Sequence, residues 1–207
     1  MTPPGRARAA PRVAGILLAA GAGRRMGEPK ALVRDDHGTP WLLRTLRALH
    51  DGGVPDVTVV LGAAVAEARQ LLAAAEVQAR SVTATDWSEG MGASLRRGLQ
   101  ALDGQADTDA ALVMLVDLPD VGPDVVARVL AAAEQAVAEG APARQLLLRA
   151  RYAGRPGHPV LLGRAHWAGV AALAQGDRGA RAYLTAHAAA DIECGDLATG
   201  RDVDRAP

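Results

Sequence analysis

The chemistry in this sequence is concentrated in Leu17–Lys30, which reads LLAAGAGRRMGEPK. Gly21 and Gly23 let a chain leaving a buried strand turn sharply and present its N–H groups to an anion. Arg24, Arg25 and Lys30 add positive charge, the combination that holds a triphosphate. The candidate binding residues here are Leu18, Ala19, Ala20, Gly21, Ala22, Gly23, Arg24, Arg25 and Lys30. Lys30 is the only lysine beside 22 arginines, and the compact ammonium of lysine is not interchangeable with a planar guanidinium at a phosphate. Two better-known loops do not fit. The dinucleotide fingerprint Gly-x-Gly-x-x-Gly has Met26 in its third position, and Lys30 lacks the Gly-Lys-Ser/Thr setting of a P-loop. The plain alternative is a tight surface turn with solvated arginines.

A second chemical group is Asp117, which follows the apolar run Ala111–Val116 in the segment LVDLPD. A carboxylate fixed at a strand end can bind a hard cation, and Mg²⁺ uses one or two protein carboxylates, with phosphate oxygens and water as its other ligands. Asp120 and Asp124 suit turn or capping roles beside Pro119 and Pro123. Further along, GRPGHPV (Gly154–Val160) and GDRGAR (Gly176–Arg181) each set a cation beside glycines. Gly157, His158, Asp177 and Arg181 are therefore the candidates for an anionic or phosphorylated acceptor.

In this order, these motifs resemble the MobA-like nucleotidyltransferases, most closely their molybdenum cofactor cytidylyltransferase branch. The opening signature is matched by Ala19, Ala20, Gly21, Gly23, Arg25, Met26, Gly27 and Lys30, and the strand-end Asp-x-Pro by Asp117 and Pro119. Trp87, Gly90, Met91, Ser94 and Gly98 match a further segment, in which Ala84 replaces the usual asparagine. The resemblance implies that the loop wraps NTP phosphates and that Arg25 and Lys30 neutralise them. It also implies that Ser94 contacts nucleotide and that Asp117 binds Mg²⁺ or Mn²⁺. Asp204, with Asp202 behind it, is the counterpart of the family's second metal carboxylate, although the usual Thr-Pro does not follow. The GRPGHP and GDRGAR segments lie on the acceptor side in that branch. The donor implied is CTP, since the Leu-Ala-Ala-Gly start is the cytidylyl form, and the acceptor implied is molybdopterin, with transient contact to a molybdoenzyme or its chaperone. A GTP-using relative, another phosphorylated acceptor, and a nucleotide-binding chaperone or regulator without turnover stay open.

Positioning these groups requires strands that end at one rim. Val13–Ala19 and Ala111–Val116 are fully apolar and Asp56–Leu61 (DVTVVL) is largely so, Ser81–Thr85 is a shorter strand, and helical stretches alternate with them at Pro40–His50, Ala63–Ala75, Met91–Leu102 and Pro123–Ala138. The later chain predicts strands at Gln145–Leu148 and Pro159–Leu162 around a loop Tyr152–His158. Helices at Arg164–Ala174 and Ala180–His187 and a short strand near Asp191–Cys194 follow. Thr39 is the expected cap of the first helix. The pattern predicts an α/β, three-layer Rossmann-like sandwich with a mostly parallel central sheet, and the resemblance makes it of the nucleotide-diphospho-sugar transferase type. Ligands in such folds bind beyond the carboxyl ends of the strands.

We read residues 1–12 as a flexible basic tail and 13–207 as one domain. With 23 basic and 23 acidic residues the net charge is zero, which disfavours nucleic-acid and membrane-surface partners. No apolar run reaches the roughly 20 residues that span a bilayer. The single cysteine, Cys194, fits a reducing cytoplasm. A serine hydrolase is disfavoured because Gly92-Ala-Ser94-Leu-Arg96 lacks the second glycine of a nucleophile elbow.

Overall fold

The apolar run Val13–Ala19 becomes β1, the middle of a seven-stranded sheet; the computed structural model describes residues 9–204. The expected tail therefore lies largely outside the described residues, while the Arg12 backbone N–H donates to Asp109 Oδ2. The other strands are β2 (Val57–Leu61), β3 (Arg80–Thr83), β4 (Ala110–Leu115), β5 (Leu147–Tyr152), β6 (Arg155–Gly163) and β7 (Ala190–Glu193), in the spatial order β3-β2-β1-β4-β6-β5-β7. Only β6 runs against the rest, so the sheet is mostly parallel, as expected.

The side-chain period of two sorts these strands into two faces. Leu17, Val59 and Met114, in register across β1, β2 and β4, join one core cluster with Leu42, Leu46 and Val126. Their helices are α1 (Trp41–Asp51), α2 (Val65–Ala73) and α4 (Pro123–Ala138). Ile16, Val60 and Val113 point the other way, toward Leu95, Leu99, Val170 and Leu184. These belong to α3 (Met91–Leu102), α5 (Trp167–Leu173) and α6 (Arg181–Ala186). The result is a three-layer sandwich. Among the described residues, no helix is long and apolar enough to cross a membrane.

Several local expectations are corrected. Pro40, not Thr39, precedes α1 as its N-cap, without a side-chain cap bond; the Thr39 N–H is instead taken by Asp35 Oδ1 at 2.9 Å. Tyr152–His158 is not a loop. Ala153 and Gly154, with φ of 46° and 84°, turn the chain between β5 and β6, so Gly157 and His158 lie in a strand. The charges of Arg149 and Arg151 disguised β5. They are tolerated because β7 sets Asp191 opposite Arg149. The antiparallel course of β6 starts it at the rim where β4 ends, which brings Gly157 and His158 toward Asp117.

α3 can approach the sheet because Gly98 has no side chain. A Cβ there would lie 2.7 Å from Ile16 Cγ2 and 3.1 Å from Val60 Cγ2. Gly98→Val is expected to lower unfolding free energy by about 1–3 kcal/mol through overpacking, measured by urea denaturation; an unchanged midpoint would contradict the tight contact.

Candidate active site

The glycine loop leaves β1 at the carboxyl rim and is held by its own backbone. The Gly23 carbonyl accepts from the N–H groups of Met26 and Gly27, at 2.8 and 3.0 Å. Gly23 has φ 58°, and a Cβ would sit 1.8 Å from the Glu28 carbonyl oxygen, so no other residue fits. The loop closes over a cavity of about 380 Å³ lined by Leu18, Ala20, Gly21, Ala22, Gly23, Arg24, Lys30, Ser94 and Asp117. Ala19 ends β1 in the core and does not line it. Arg25 lies at the adjoining cleft instead. Trp87, which the sequence placed in no pocket, lines the cavity with Ser88 and Gly90. Ala84 is fully buried in the core, so it offers nothing to a nucleotide.

At the mouth, three elements distant in sequence converge. Lys30 Nζ donates to Asp117 Oδ2 at 2.6 Å and to Asp204 Oδ1 at 2.5 Å. Arg25 reaches Asp204 Oδ2 more loosely, at 3.5 Å. The Lys30 and Asp117 side chains are only 16% and 14% exposed, against 43% for Asp204. Burial works against the lysine charge, but the hydrogen bonds from Asp117 and Asp204 outweigh it and hold the Lys30 pKa above its usual value. Asp202 lines the adjoining cleft of about 580 Å³ along with Asp204.

Asp117 Oδ1 is buried and has no hydrogen-bond partner among the described residues, a costly state for a carboxylate oxygen unless something positive meets it. Two carboxylates that already share one cation, with an oxygen to spare, fit a divalent hard cation such as Mg²⁺ or Mn²⁺. No cluster of three or more His, Cys, Asp or Glu able to hold a metal occurs among the described residues. The remaining ligands would therefore be phosphate and water, the usual Mg²⁺ arrangement.

Asp204 is brought there by a device that the sequence did not reveal. Asp120 Oδ2 accepts from both the N–H and the Oγ1–H of Thr199, each at 2.6 Å. Gly200, at φ 62°, lies against the Tyr152 ring, where a Cβ would approach within 2.2 Å. The Val203 N–H then donates to the Asp117 carbonyl at 3.0 Å. The short side chain of Asp120, read as a turn residue, is a clasp for the C-terminal segment.

The residues expected on the acceptor side, His158, Asp177 and Arg181, line a third cavity of about 260 Å³, with Gly157 beside them. Asp177 lines all three cavities and so stands at their junction. It meets Gly90, whose φ is 112° and whose Cβ would lie 2.7 Å from Asp177 Oδ1. Desolvation lowers the His158 pKa to about 4, so its imidazole is neutral at pH 7 and contributes no charge. The backbone oxygen of His158 accepts the Tyr152 hydroxyl at 2.5 Å. Arg149 and Arg178 line this cavity too; the former was hidden in β5.

If the clasp sets the second carboxylate, Asp120→Ala is expected to weaken Mn²⁺ binding about tenfold or more, as lost supporting hydrogen bonds do. Thr199→Ser, which keeps both donors, should stay near wild type. Counting free Mn²⁺ by electron paramagnetic resonance measures this, and equal affinity in both variants would contradict it.

Comparison with known proteins agrees with this geometry. Residues 15–191 match the MobA-like NTP transferase domain. The chain is 37% identical over 204 residues, 94% of this chain and 93% of that one, to nicotine blue oxidoreductase of Paenarthrobacter nicotinovorans. Among solved structures it is similar to Rv0371c from Mycobacterium tuberculosis H37Rv, with a TM-score of 0.75 and 26% identity over 95% of each chain. A manganese complex of Rv0371c superposes with a TM-score of 0.69 at 24% identity, covering 93% of this chain and 94% of that one. The match over most of its length, together with the glycine loop and strand-end aspartate, makes this chain a member of the MobA-like NTP transferase family.

Proposed function

We propose that the chain transfers a nucleoside monophosphate from an NTP, CTP in our reading, to a small phosphorylated acceptor, and that the acceptor is molybdopterin. The observation that carries this is the Lys30 ammonium held between Asp117 and Asp204 at the mouth of the glycine-loop cavity. Loop N–H groups and Arg24 would cradle the phosphates, with Lys30 and Arg25 neutralising charge as it shifts toward the leaving group. An oxygen of the acceptor phosphate attacks the α-phosphorus in line. The new P–O bond forms as the bond from the α-phosphorus to its bridging oxygen breaks, and pyrophosphate leaves. The attacking oxygen is already ionised, so no general base is needed. Catalysis here is positioning and charge neutralisation.

Mg²⁺ or Mn²⁺ would be held by Asp117 and Asp204 and would neutralise the phosphate oxygens. The manganese complex of Rv0371c supports a divalent ion in this family. Choice of CTP over GTP rests on Ala20, and a cytoplasmic setting on the lone Cys194.

The name of the Paenarthrobacter relative favours a second reading, oxidoreduction; in this chain that would require a nicotinamide dinucleotide or a similar cofactor in the same loop. Met26 in the third position of the fingerprint weighs against it. Pyrophosphate release with each of the four NTPs, Mg²⁺ and molybdopterin separates the readings. Release with CTP, reduced at least about 100-fold in Asp117→Ala, is expected. Consumption of NADH or NADPH without pyrophosphate would select the oxidoreductase.

A further inference from the structure

The cavity beside the donor site has an unusual floor. Its walls are Leu18, Leu95, Val113, Val160, Leu162 and Leu184, yet Arg149 opens into it from β5 with a side chain only 15% exposed. Leu147, two residues earlier on the same strand face, belongs to the apolar core. An arginine two residues further on the same face would ordinarily be destabilising. Asp191, opposite it on β7, offsets that cost. Its Oδ1 accepts from Arg149 Nε at 2.8 Å and lies 2.7 Å from Nη2. Asp191 Oδ2 faces Arg151 at 3.7 Å.

That pairing uses one edge of the guanidinium and leaves the other. The Nη1 donors of Arg149 have no protein partner among the described residues. An ion pair whose aspartate is exposed contributes little to stability, so stability alone does not account for an arginine in the wall of a ligand-sized cavity. The other cations there, Arg178 and Arg181, sit on exposed positions where water and salt screen them. Arg149, the least exposed of the three, discriminates more strongly between a charged and a neutral oxygen.

We propose that Arg149, held by Asp191, selects the acceptor by binding an anionic oxygen on a compact, largely apolar body that fills this cavity. The cavity shares Leu18, Met91 and Asp177 with the donor cavity, so the oxygen bound by Arg149 is at the end of the acceptor remote from the reacting phosphate. The word acceptor rests on the transferase reading; the ligand class does not, and it favours another phosphorylated acceptor over molybdopterin, whose pterin end carries no charge at pH 7.

The test is therefore a binding measurement that needs no turnover. 2-Naphthoate, anionic at pH 7, and 2-naphthamide, neutral and of the same shape, are titrated by calorimetry into the full-length protein. Wild type is expected to prefer the anion at least about tenfold, the scale of a charge-assisted hydrogen bond. Arg149→Met and Asp191→Asn should abolish and reduce that preference respectively, and Arg149→Lys should restore part of it. CTP affinity with Mn²⁺ should stay within about twofold in all three, which sets aside a general loss of structure. No preference in wild type, or one that survives Arg149→Met, would overturn the proposal. Anion preference without pyrophosphate release by wild type would overturn the transferase reading and leave this one standing.

Discussion

One ammonium shared by two carboxylates organises this molecule. Lys30 comes from the loop after β1, Asp117 from the end of β4, and Asp204 from the far end of the described chain. Two carboxylates at this distance repel each other, and a partly buried cation between them removes that repulsion while limiting its own desolvation cost. The remainder of the architecture can be read as what this meeting requires. β1 and β4 must be neighbours in parallel register, which a central pair of fully apolar strands provides. The loop must turn within a few residues, which Gly23 allows. The last segment must fold back across the rim, which Asp120, Thr199 and Gly200 arrange.

The same arrangement explains why the site is a set of connected cavities and not a single pocket. The glycine loop and Trp87 enclose one side; the start of β6 and the Gly176–Arg178 turn enclose the other. Asp177 stands where they join, packed against Gly90 at the entrance to α3. Two ligands bound on either side would meet beside Asp117 and Lys30, and reactions between two anionic partners need their mutual repulsion reduced at that point.

Local signals in the sequence made the rim of the first half legible. Ile16, Val60 and Val113 sit in uninterrupted apolar runs, and glycines with arginines after the first of these could be read without tertiary information. Legibility failed where long-range pairing decided the outcome. Arg149 and Arg151 ended the expected strand at Leu148, because the residue that makes them tolerable in β5, Asp191, is some forty positions away. Asp120 read as an ordinary turn carboxylate beside prolines, and its bond to Thr199 spans 79 residues. Thr39 had the chemistry of a helix cap, but α1 begins one residue later, with Pro40 in the cap position and no side-chain cap bond. Trp87 gave no sign of facing a cavity, since an indole is as much at home in a core.

The most direct test of this account is a crystal structure with Mn²⁺ and a non-hydrolysable CTP analogue. An anomalous manganese peak at Asp117 and Asp204, with Lys30 moved from the carboxylates to a phosphate oxygen, is the result expected. Manganese bound elsewhere, or Lys30 still joining both carboxylates with nucleotide in the glycine-loop cavity, would contradict it.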